Sequence, residues 1–380
     1  MKPIIAITHG DTNGIGYEVI IKTFAAPEML DICTPIIYGS PKVAKHHIKE
    51  LGLEANFTII SSIKDLHHGR INLIPVVEED VKVEFGKPSK ESGSAALKAL
   101  EKAMEDFKEG LFEAIVTAPI NASSMQCDAF KFNGHTDYME NRIGEGKDSL
   151  AILMNQHIRI ALATTHSPMS EISKKLTTEY IEKKVETLNK SLKQDFLILQ
   201  PRIAVLSLNP KANEDGTLSK EEQEIIAPAI KNLMEKKIMT FGPFPADDFF
   251  KQASYEHFDA VLAMYHDQGV APLQAFSSDY AINYTAGLPI IRTSPDCGVS
   301  YEIAGKNEAD EQSFRQAVYA AIDIMRNRKA HAEAYANPIP KLFHERRDEG
   351  ERLRFNIPSK KQKDDKQNDK SKEDKAKQND

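Results

Sequence analysis

The sequence predicts an α/β protein built on a mostly parallel sheet. Short apolar runs typical of buried strands alternate with longer segments of helical periodicity, the pattern of parallel sheets covered by helices. The apolar run Val261–Met264 is followed, after one tyrosine, by His266 and Asp267. Open α/β sheets bind their ligands at the carboxyl ends of their strands, so the expected fold also indicates where a site would lie.

The predicted elements follow one another in alternation along the chain. Nine apolar runs are predicted to be strands: Ile4–Thr8, Thr34–Tyr38, Phe57–Ile60, Ile71–Val77, Ala114–Thr117, Leu150–Met154, Ile158–Ala163, Ile203–Leu208 and Ala260–Met264. Five segments are predicted to be helices: Pro41–Leu51, Ser92–Lys108, Thr178–Gln194, Lys220–Lys236 and Glu311–Arg328. Ser92 is the expected N-cap of the second of these, because serine readily accepts a hydrogen bond from the first turn.

Length and composition bound the class of protein. A chain of 380 residues exceeds the size at which one hydrophobic core usually stops growing, which favours two domains. No apolar stretch approaches the roughly 20 residues that cross a bilayer. Three cysteines without zinc-type spacing favour a reducing compartment. We therefore expect a cytoplasmic protein that does not bind a membrane.

The charge distribution separates the body of the chain from its end. The formal net charge is -7, while residues 359–380 hold eight lysines against six acidic residues, which leaves the body at about -9. An acidic body argues against a nucleic-acid partner. Residues 356–380 are expected to be a disordered charged tail, because their composition cannot bury a core.

Strand ends supply the candidate metal ligands. His166 and His266 each follow a predicted strand, and Lys211 follows a third one, so the three side chains are expected at corresponding strand ends. Two imidazoles could bind a divalent metal, although a separation of 100 residues carries no local metal signature. Arg292 follows another apolar run, and an arginine there is well shaped for bidentate capture of a carboxylate or phosphate.

Two loop segments are further candidates for ligand contacts. The glycine-rich segment Gly10–Gly16 between the first strand and a helix near Tyr17 either approaches an anion or forms a structural turn. Its spacing does not match the dinucleotide-binding fingerprint. His135 and Thr136 offer donors suited to a phosphate or carboxylate, and a structural or surface histidine is the alternative.

Taken together, these motifs resemble the 4-hydroxythreonine-4-phosphate dehydrogenase family of pyridoxine biosynthesis. The resemblance runs in order from about Pro3 to about Arg328 and rests on these segments: Gly10–Glu18, Thr117–Asn121, Gly134–Thr136, Ala163–His166, Leu208–Pro210, Tyr265–Gly269, Asn283 and Leu288–Ser294.

The resemblance implies an architecture and an assembly. It implies two α/β/α domains with a central cleft, as in isocitrate and isopropylmalate dehydrogenases. The first domain would comprise residues 1–130 and 305–355, and the second, residues 131–304, would carry the dimer interface. A homodimer with a shared active site is implied, in which the partner's histidine completes each metal site.

The resemblance also implies a reaction and roles for individual residues. The family oxidises 4-phosphohydroxy-L-threonine with NAD or NADP, and the product decarboxylates to 3-amino-2-oxopropyl phosphate. A divalent metal (Zn, Mg or Co) would stabilise the developing alkoxide. The matching positions are His166 and His266 as metal ligands, His135, Thr136, Asn283, Arg292 and Gln274 as substrate contacts, and Asp247, Asp267 and Lys211 as catalytic residues. No residue is indicated for binding the cofactor.

Four positions depart from the family pattern. Lys211 stands where a third metal histidine is expected, and Gln274 where a substrate-binding lysine is expected. Ala122 replaces a lysine, and Cys297 replaces a histidine. The ammonium of Lys211 could stand in for the metal. Alternatively, the chain acts on a related four-carbon phosphorylated hydroxyacid, or it is a non-catalytic paralogue on the same scaffold.

Overall fold

Twelve strands form one mixed sheet in the computed structural model, which describes residues 2–77, 81–127, 130–210, 219–276 and 280–337. The strands are β1 (Ile4–Thr8), β2 (Thr34–Gly39), β3 (Phe57–Ile59), β4 (Ile71–Pro75), β5 (Ala114–Thr117), β6 (Leu150–Met154), β7 (Arg159–Leu162), β8 (Arg202–Leu206), β9 (Met239–Phe244), β10 (Ala260–Ala263), β11 (Ile282–Ala286) and β12 (Ile291–Pro295). Their spatial order is β3-β4-β2-β1-β5-β12-β11-β6-β7-β10-β8-β9.

Helices cover both faces of this sheet. They are α1 (Gly16–Ala25), α2 (Pro27–Ile32), α3 (Pro41–Leu51), α4 (Lys90–Lys108), α5 (Ala122–Met125), α6 (His135–Ile143), α7 (Met169–Lys175), α8 (Thr178–Gln194), α9 (Ala227–Glu235), α10 (Ala246–Lys251), α11 (His266–Phe276) and α12 (Gln312–Ala336). Short 3-10 helices span Ile63–Asp65 and Ser254–His257, and a π-helical turn, Glu222–Ile226, leads into α9. None of the described helices is long and apolar enough to cross a membrane.

The direction of the strands reverses in the middle of the sheet. Strands β1 to β5 and β12 form one set of mutually parallel strands, and β7, β10, β8 and β9 form a second parallel set. Between these two sets, β11 pairs antiparallel with both β12 and β6, and β6 pairs antiparallel with β7. The connections at residues 155–158 and 287–290 are too short for a crossover, which forces the antiparallel pairings. The carboxyl ends of β5 and β7 therefore lie at opposite edges of the sheet.

Burial differs between the two faces of the sheet. On one face a single hydrophobic cluster extends from α1 to α8 and α12. On the other face there are two separate clusters, one beneath α4 and α6 and one beneath α10 and α11. Between these two clusters, side chains on one face of the central strands β12, β11 and β6 line a cleft.

Most of the predicted elements are confirmed, with differences that have physical causes. All nine predicted strands form, and β9, β11 and β12 are additional. Arg292 lies within β12 rather than after a strand, so its prediction as a strand-end residue is wrong. Helix α4 begins two residues earlier than predicted, and its N-cap is Ser89, whose hydroxyl accepts from the Ser92 amide.

The α/β class is confirmed, and the chain up to Tyr335 forms one compact unit. The sheet is continuous through the segments that the sequence assigned to two domains. The division into residues 1–130 with 305–355 and residues 131–304 stays a prediction. The predicted tail, residues 356–380, lies outside the described residues.

Candidate active site

Alternate residues of the three central strands form the floor of the cleft. Ala151, Leu153, Asn283, Arg292 and Ser294 line a cavity of about 300 Å³. The residues between them, such as those of β11, belong to the core on the opposite face of the sheet. Successive side chains of a strand point to opposite faces, so the same strands complete a core and present polar groups to the cleft.

Arg292 supplies a buried positive charge on this floor. Its Nη2 and Nε donate to Thr117 Oγ1 at 2.8 and 3.1 Å, and its Nη1 donates to Thr285 Oγ1 at 3.2 Å. No carboxylate of the described chain forms an ion pair with this guanidinium. Burial lowers the pKa of Arg292 to about 10, which leaves it cationic at neutral pH. A buried cation held by uncharged groups is a strong attractor for an anionic ligand.

His135 begins α6 beside Arg292. Burial and, secondarily, the charge of Arg292 hold the pKa of His135 well below its usual range, so the imidazole is neutral. Its Nδ1 lies 3.4 Å from Arg292 Nη2. The next residue, Thr136, places its hydroxyl 3.5 Å from Thr285 Oγ1. The two predicted substrate contacts, His135 and Thr136, therefore belong to the same cluster of polar side chains as Arg292.

The two strand-end histidines come together on the other side of the cleft. His166 follows β7 and His266 begins α11 after the adjacent strand β10, and their ring centroids are 5.9 Å apart. The Asp267 carboxylate lies 2.8 Å from His266 Nδ1. A carboxylate on one ring nitrogen fixes the orientation of the ring and leaves Nε2 available to a ligand.

These imidazoles fit two positions of a divalent-metal site. Neutral imidazole with a carboxylate behind it is a common metal-ligand arrangement. The described residues contain no group of three His, Cys, Asp or Glu side chains that could hold a metal ion. The predicted third position, Lys211, lies outside the described residues.

The loop after β12 adds a carboxyl group that the sequence did not indicate. Asp296 lines the cleft, and its Oδ2 is buried without a hydrogen-bond partner among the described residues. Burial raises the pKa of Asp296, against the hydrogen bond from Gln274 and the nearby His266. Gln274 itself is exposed on α11 and does not line the cleft. Its contact to the site therefore passes through Asp296.

The substituted positions Ala122 and Cys297 both line the cleft. Burial raises the pKa of Cys297 to about 12, which disfavours a nucleophilic thiolate. All three cysteines, including Cys33 and Cys127, are free.

Two predicted acids are not brought into the cleft of their own chain. Asp247 lies in the first turn of α10, exposed and outside the cleft lining. Asp267 has a side chain that is 86% exposed and contacts the site only through His266. Its position supports a role in orienting the imidazole rather than direct contact with a ligand.

The glycine-rich segment Gly10–Gly16 is a structural turn. Asp11, Thr12 and Asn13 are fully buried, and Asn13 bonds the backbone at Glu84 and Lys87. The alternative of an open anion cradle is therefore disfavoured.

The two threonines whose hydroxyl groups accept from Arg292 were harder to recognise from the sequence. Thr117 lies in a segment that the sequence singled out, and Thr285 lies in β11, which was not predicted. The alternation of Asn283 and Thr285 with apolar neighbours was the available signal.

The fold and the cleft define the class of protein. It is an α/β enzyme whose site lies on one face of the sheet, between the hydrophobic cluster beneath α4 and α6 and the cluster beneath α10 and α11. The chain belongs to the family described as pyridoxal phosphate biosynthetic protein PdxA, whose sequence model matches residues 31–321.

Relatives and solved structures agree with this membership. The chain is 52% identical over 351 residues to a 4-hydroxythreonine-4-phosphate dehydrogenase of Bacteroides thetaiotaomicron, covering 92% of this chain and 96% of the relative. A protein of Oceanobacillus iheyensis, provisionally named D-threonate 4-phosphate dehydrogenase, is 35% identical, with 85% and 98% covered. The crystal structure of 4-hydroxythreonine-4-phosphate dehydrogenase from Klebsiella pneumoniae matches with a TM-score of 0.73 at 30% identity, covering 85% and 98% of the two chains.

Proposed function

We propose that the protein oxidises 4-phosphohydroxy-L-threonine with NAD or NADP and releases 3-amino-2-oxopropyl phosphate after decarboxylation. The observation that carries this proposal is the buried Arg292, which forms no ion pair with a described carboxylate, on the floor of a cleft that also holds two neighbouring imidazoles. The name shared by the relatives supports the same substrate.

The side chains of the cleft suit this chemistry. Arg292 would bind a substrate anion through its free directions, while Thr117 and Thr285 fix its orientation. Neutral His135 and the hydroxyl of Thr136 would bind polar substrate atoms without adding charge. Asn283, whose Oδ1 is unpartnered among the described residues, would accept a hydrogen bond. These contacts would hold the substrate in a single orientation in the cleft.

His166 and His266 would hold a divalent cation, with position 211 as the third corner in this chain. When bound, such a cation would supply Lewis-acid stabilisation of negative charge on the substrate oxygen. A homodimer with a shared active site is part of this proposal.

The activity assay is the direct test. Purified protein is incubated with 4-phosphohydroxy-L-threonine, NAD+ or NADP+, and Zn²⁺, Mg²⁺ or Co²⁺ in turn, and reduced cofactor is followed by its absorbance. We expect turnover with at least one metal, and its loss when His166 is changed to Ala. Absence of reduced cofactor under every condition would reject the proposed reaction.

A related substrate is the second candidate. Gln274 stands where the family has a lysine, and one relative carries the D-threonate name. In the same assay D-threonate 4-phosphate serves as the competing substrate. A higher kcat/KM for D-threonate 4-phosphate than for 4-phosphohydroxy-L-threonine would favour this candidate.

A further inference from the structure

A row of polar side chains runs along β12 on the floor of the cleft. Arg292 and Ser294 lie in this strand, Asp296 directly follows its last residue, and all three line the cavity. Alternate residues of a strand point to the same face, so the row carries a guanidinium at one end, a hydroxyl in the middle and a carboxyl group at the other end. Four residues of strand span about 13 Å, which holds the two charged groups apart.

Backbone contacts fix the position of Asp296. Its amide donates to the carbonyl oxygen of Ala281 at 3.1 Å and to the hydroxyl oxygen of Ser313 at 3.2 Å. The Ser313 hydroxyl in turn donates to the same Ala281 carbonyl at 2.6 Å. The loop is thereby connected to the start of β11 and to the first turn of α12. A carboxyl group on an anchored backbone loses little freedom when it binds a ligand.

The carboxyl group of Asp296 lacks a cationic partner in the part of the chain that the structure describes. Its Oδ2 has no hydrogen-bond partner there, and its contact at position 274 is the neutral amide of Gln274. Burial raises the pKa of Asp296, and His266 is the one ionisable group whose charge acts on it, so Arg292 does not neutralise it. The negative charge of a carboxylate is shared by both oxygens, so an uncompensated carboxylate in a cleft attracts a cationic ligand.

The other carboxyl group among the described lining residues has a different setting. Asp137 lies in the first turn of α6, and its charge acts on Lys184 of α8. The Asp137 carboxylate therefore has a lysine of the protein near it, whereas the Asp296 carboxylate has none. Of the two, Asp296 is the better partner for a cation that a ligand brings into the cleft.

We propose that Asp296 binds the ammonium group of the substrate and thereby selects a 2-amino acid over the corresponding 2-hydroxy acid. The inference rests on the proposed function and names the chemical class of substrate that its site prefers. Arg292, at the other end of the row, binds an anionic group of the same molecule. The carbon that bears the ammonium is bonded to the carbon that bears the reacting hydroxyl, so Asp296 also keeps that hydroxyl on the His266 side of the cleft.

Binding of two matched ligands to the full chain tests the site without requiring turnover. Isothermal titration calorimetry without dinucleotide compares 4-phosphohydroxy-L-threonine with the analogue of the same configuration in which a hydroxyl replaces the amino group. Wild type should prefer the amino ligand. Loss of the charge-assisted hydrogen bond in Asp296→Asn should weaken binding of the amino ligand about tenfold to a hundredfold and leave the hydroxy analogue nearly unaffected.

Matched variants separate this role from general damage to the cleft. Asp296→Glu keeps the charge and should keep the preference for the amino ligand. Asp137→Asn removes a charge from the same cleft and should keep the ratio of the two affinities. Thermal unfolding establishes that each variant is folded, and Asp296→Ser serves as a second neutral variant.

The possible outcomes distinguish the inference from the proposed reaction. A preference for the amino ligand in folded Asp296→Asn equal to that of wild type overturns the inference. Equal weakening of both ligands together with loss of bound divalent metal assigns Asp296 to the metal and also overturns it. A wild type that binds the amino ligand selectively through Asp296 but reduces no dinucleotide contradicts the reaction and leaves the inference standing. A wild type that binds neither ligand contradicts both.

Discussion

At the scale of single residues, the cleft depends on hydroxyl groups that carry no charge themselves. Thr285 is completely buried, accepts from Arg292 Nη1 and lies beside Thr136. It therefore connects the Arg292 guanidinium with the Thr136 hydroxyl, which lines the cleft. The guanidinium depends on such acceptors because no carboxylate among the described residues neutralises it.

Replacing Thr285 with Val tests this dependence. The substitution preserves shape but leaves one guanidinium N–H buried without its acceptor, which should lower the free energy of unfolding by about 1–3 kcal/mol. We expect kcat/KM to fall as well, because Arg292 loses one of its orienting contacts. Thr285→Ser keeps the hydroxyl and should restore most of both quantities. Chemical denaturation and kinetics on the three proteins provide the measurements, and equal stability of Thr285→Val and wild type would contradict the expectation.

The sequence indicated which side-chain types line the cleft better than it indicated which of them contact one another. His166, His266 and Arg292 could be selected because imidazole and guanidinium groups after apolar runs are distinctive, and His135 because it stands beside Thr136 in a polar loop segment. The participation of Asp296 could not be predicted, because it depends on how the loop after β12 folds over the cleft.

At the scale of elements, a π-helical turn shapes the loop that follows β8. The turn Glu222–Ile226 places the Glu222 carboxylate, which is fully buried, against this loop. Its Oε1 accepts from the amides of Leu208 and Asn209 at 2.8 Å, and its Oε2 accepts from Asn209 Nδ2 at 3.0 Å. Turns of this kind often occur near functional sites, and here the turn anchors the residues that precede Lys211.

Glu222→Ala should therefore be destabilising. It leaves several buried donors without an acceptor, so we expect a loss of at least about 2 kcal/mol in the free energy of unfolding. Glu224→Ala in the same turn is the control, because Glu224 is exposed and should have little effect. Urea denaturation of both variants gives the comparison. A Glu222→Ala protein as stable as the control would show that the buried carboxylate does not anchor the loop.

The three strands that the sequence did not predict were missed for two physical reasons. Strand β9 contains Gly242-Pro243, residues that disfavour a strand interior, and it lies at the edge of the sheet, where they are tolerated. Strands β11 and β12 carry polar side chains at alternate positions because those positions face the cleft. A functional strand therefore lacks the continuous apolar run by which buried strands are recognised.

At the scale of the whole molecule, two buried histidines link stability to pH. His9 and His47 lie on either side of Tyr17, with ring centroids 5.2 and 5.0 Å from it. Burial lowers the pKa of each imidazole to about 4. Both rings are therefore neutral in the folded protein at neutral pH, whereas they titrate near pH 6.5 when unfolded.

Acid should destabilise the fold in a defined window. Folding favours the neutral rings, so their contribution is complete above pH 6.5 and is lost as pH falls towards 4, by about 3 kcal/mol for each histidine. Urea denaturation at pH 7.5, 6 and 5 measures this loss. His9→Phe should show a smaller acid sensitivity, while His67→Gln, at an exposed position, should behave as wild type does. Identical pH dependence in His9→Phe and wild type would argue against this origin.

The reversal of strand direction has a consequence for how the specificity of this scaffold can diverge. Each central strand presents one set of side chains to the ligand and the other set to a core that the whole sheet shares. Ala151 and Ser294, which line the cleft and belong to none of the hydrophobic clusters, can therefore change without disturbing the packing behind them. Single substitutions on this face can change which ligand is bound. The residues on the opposite face stay unchanged, so the hydrophobic core that stabilises the fold is kept.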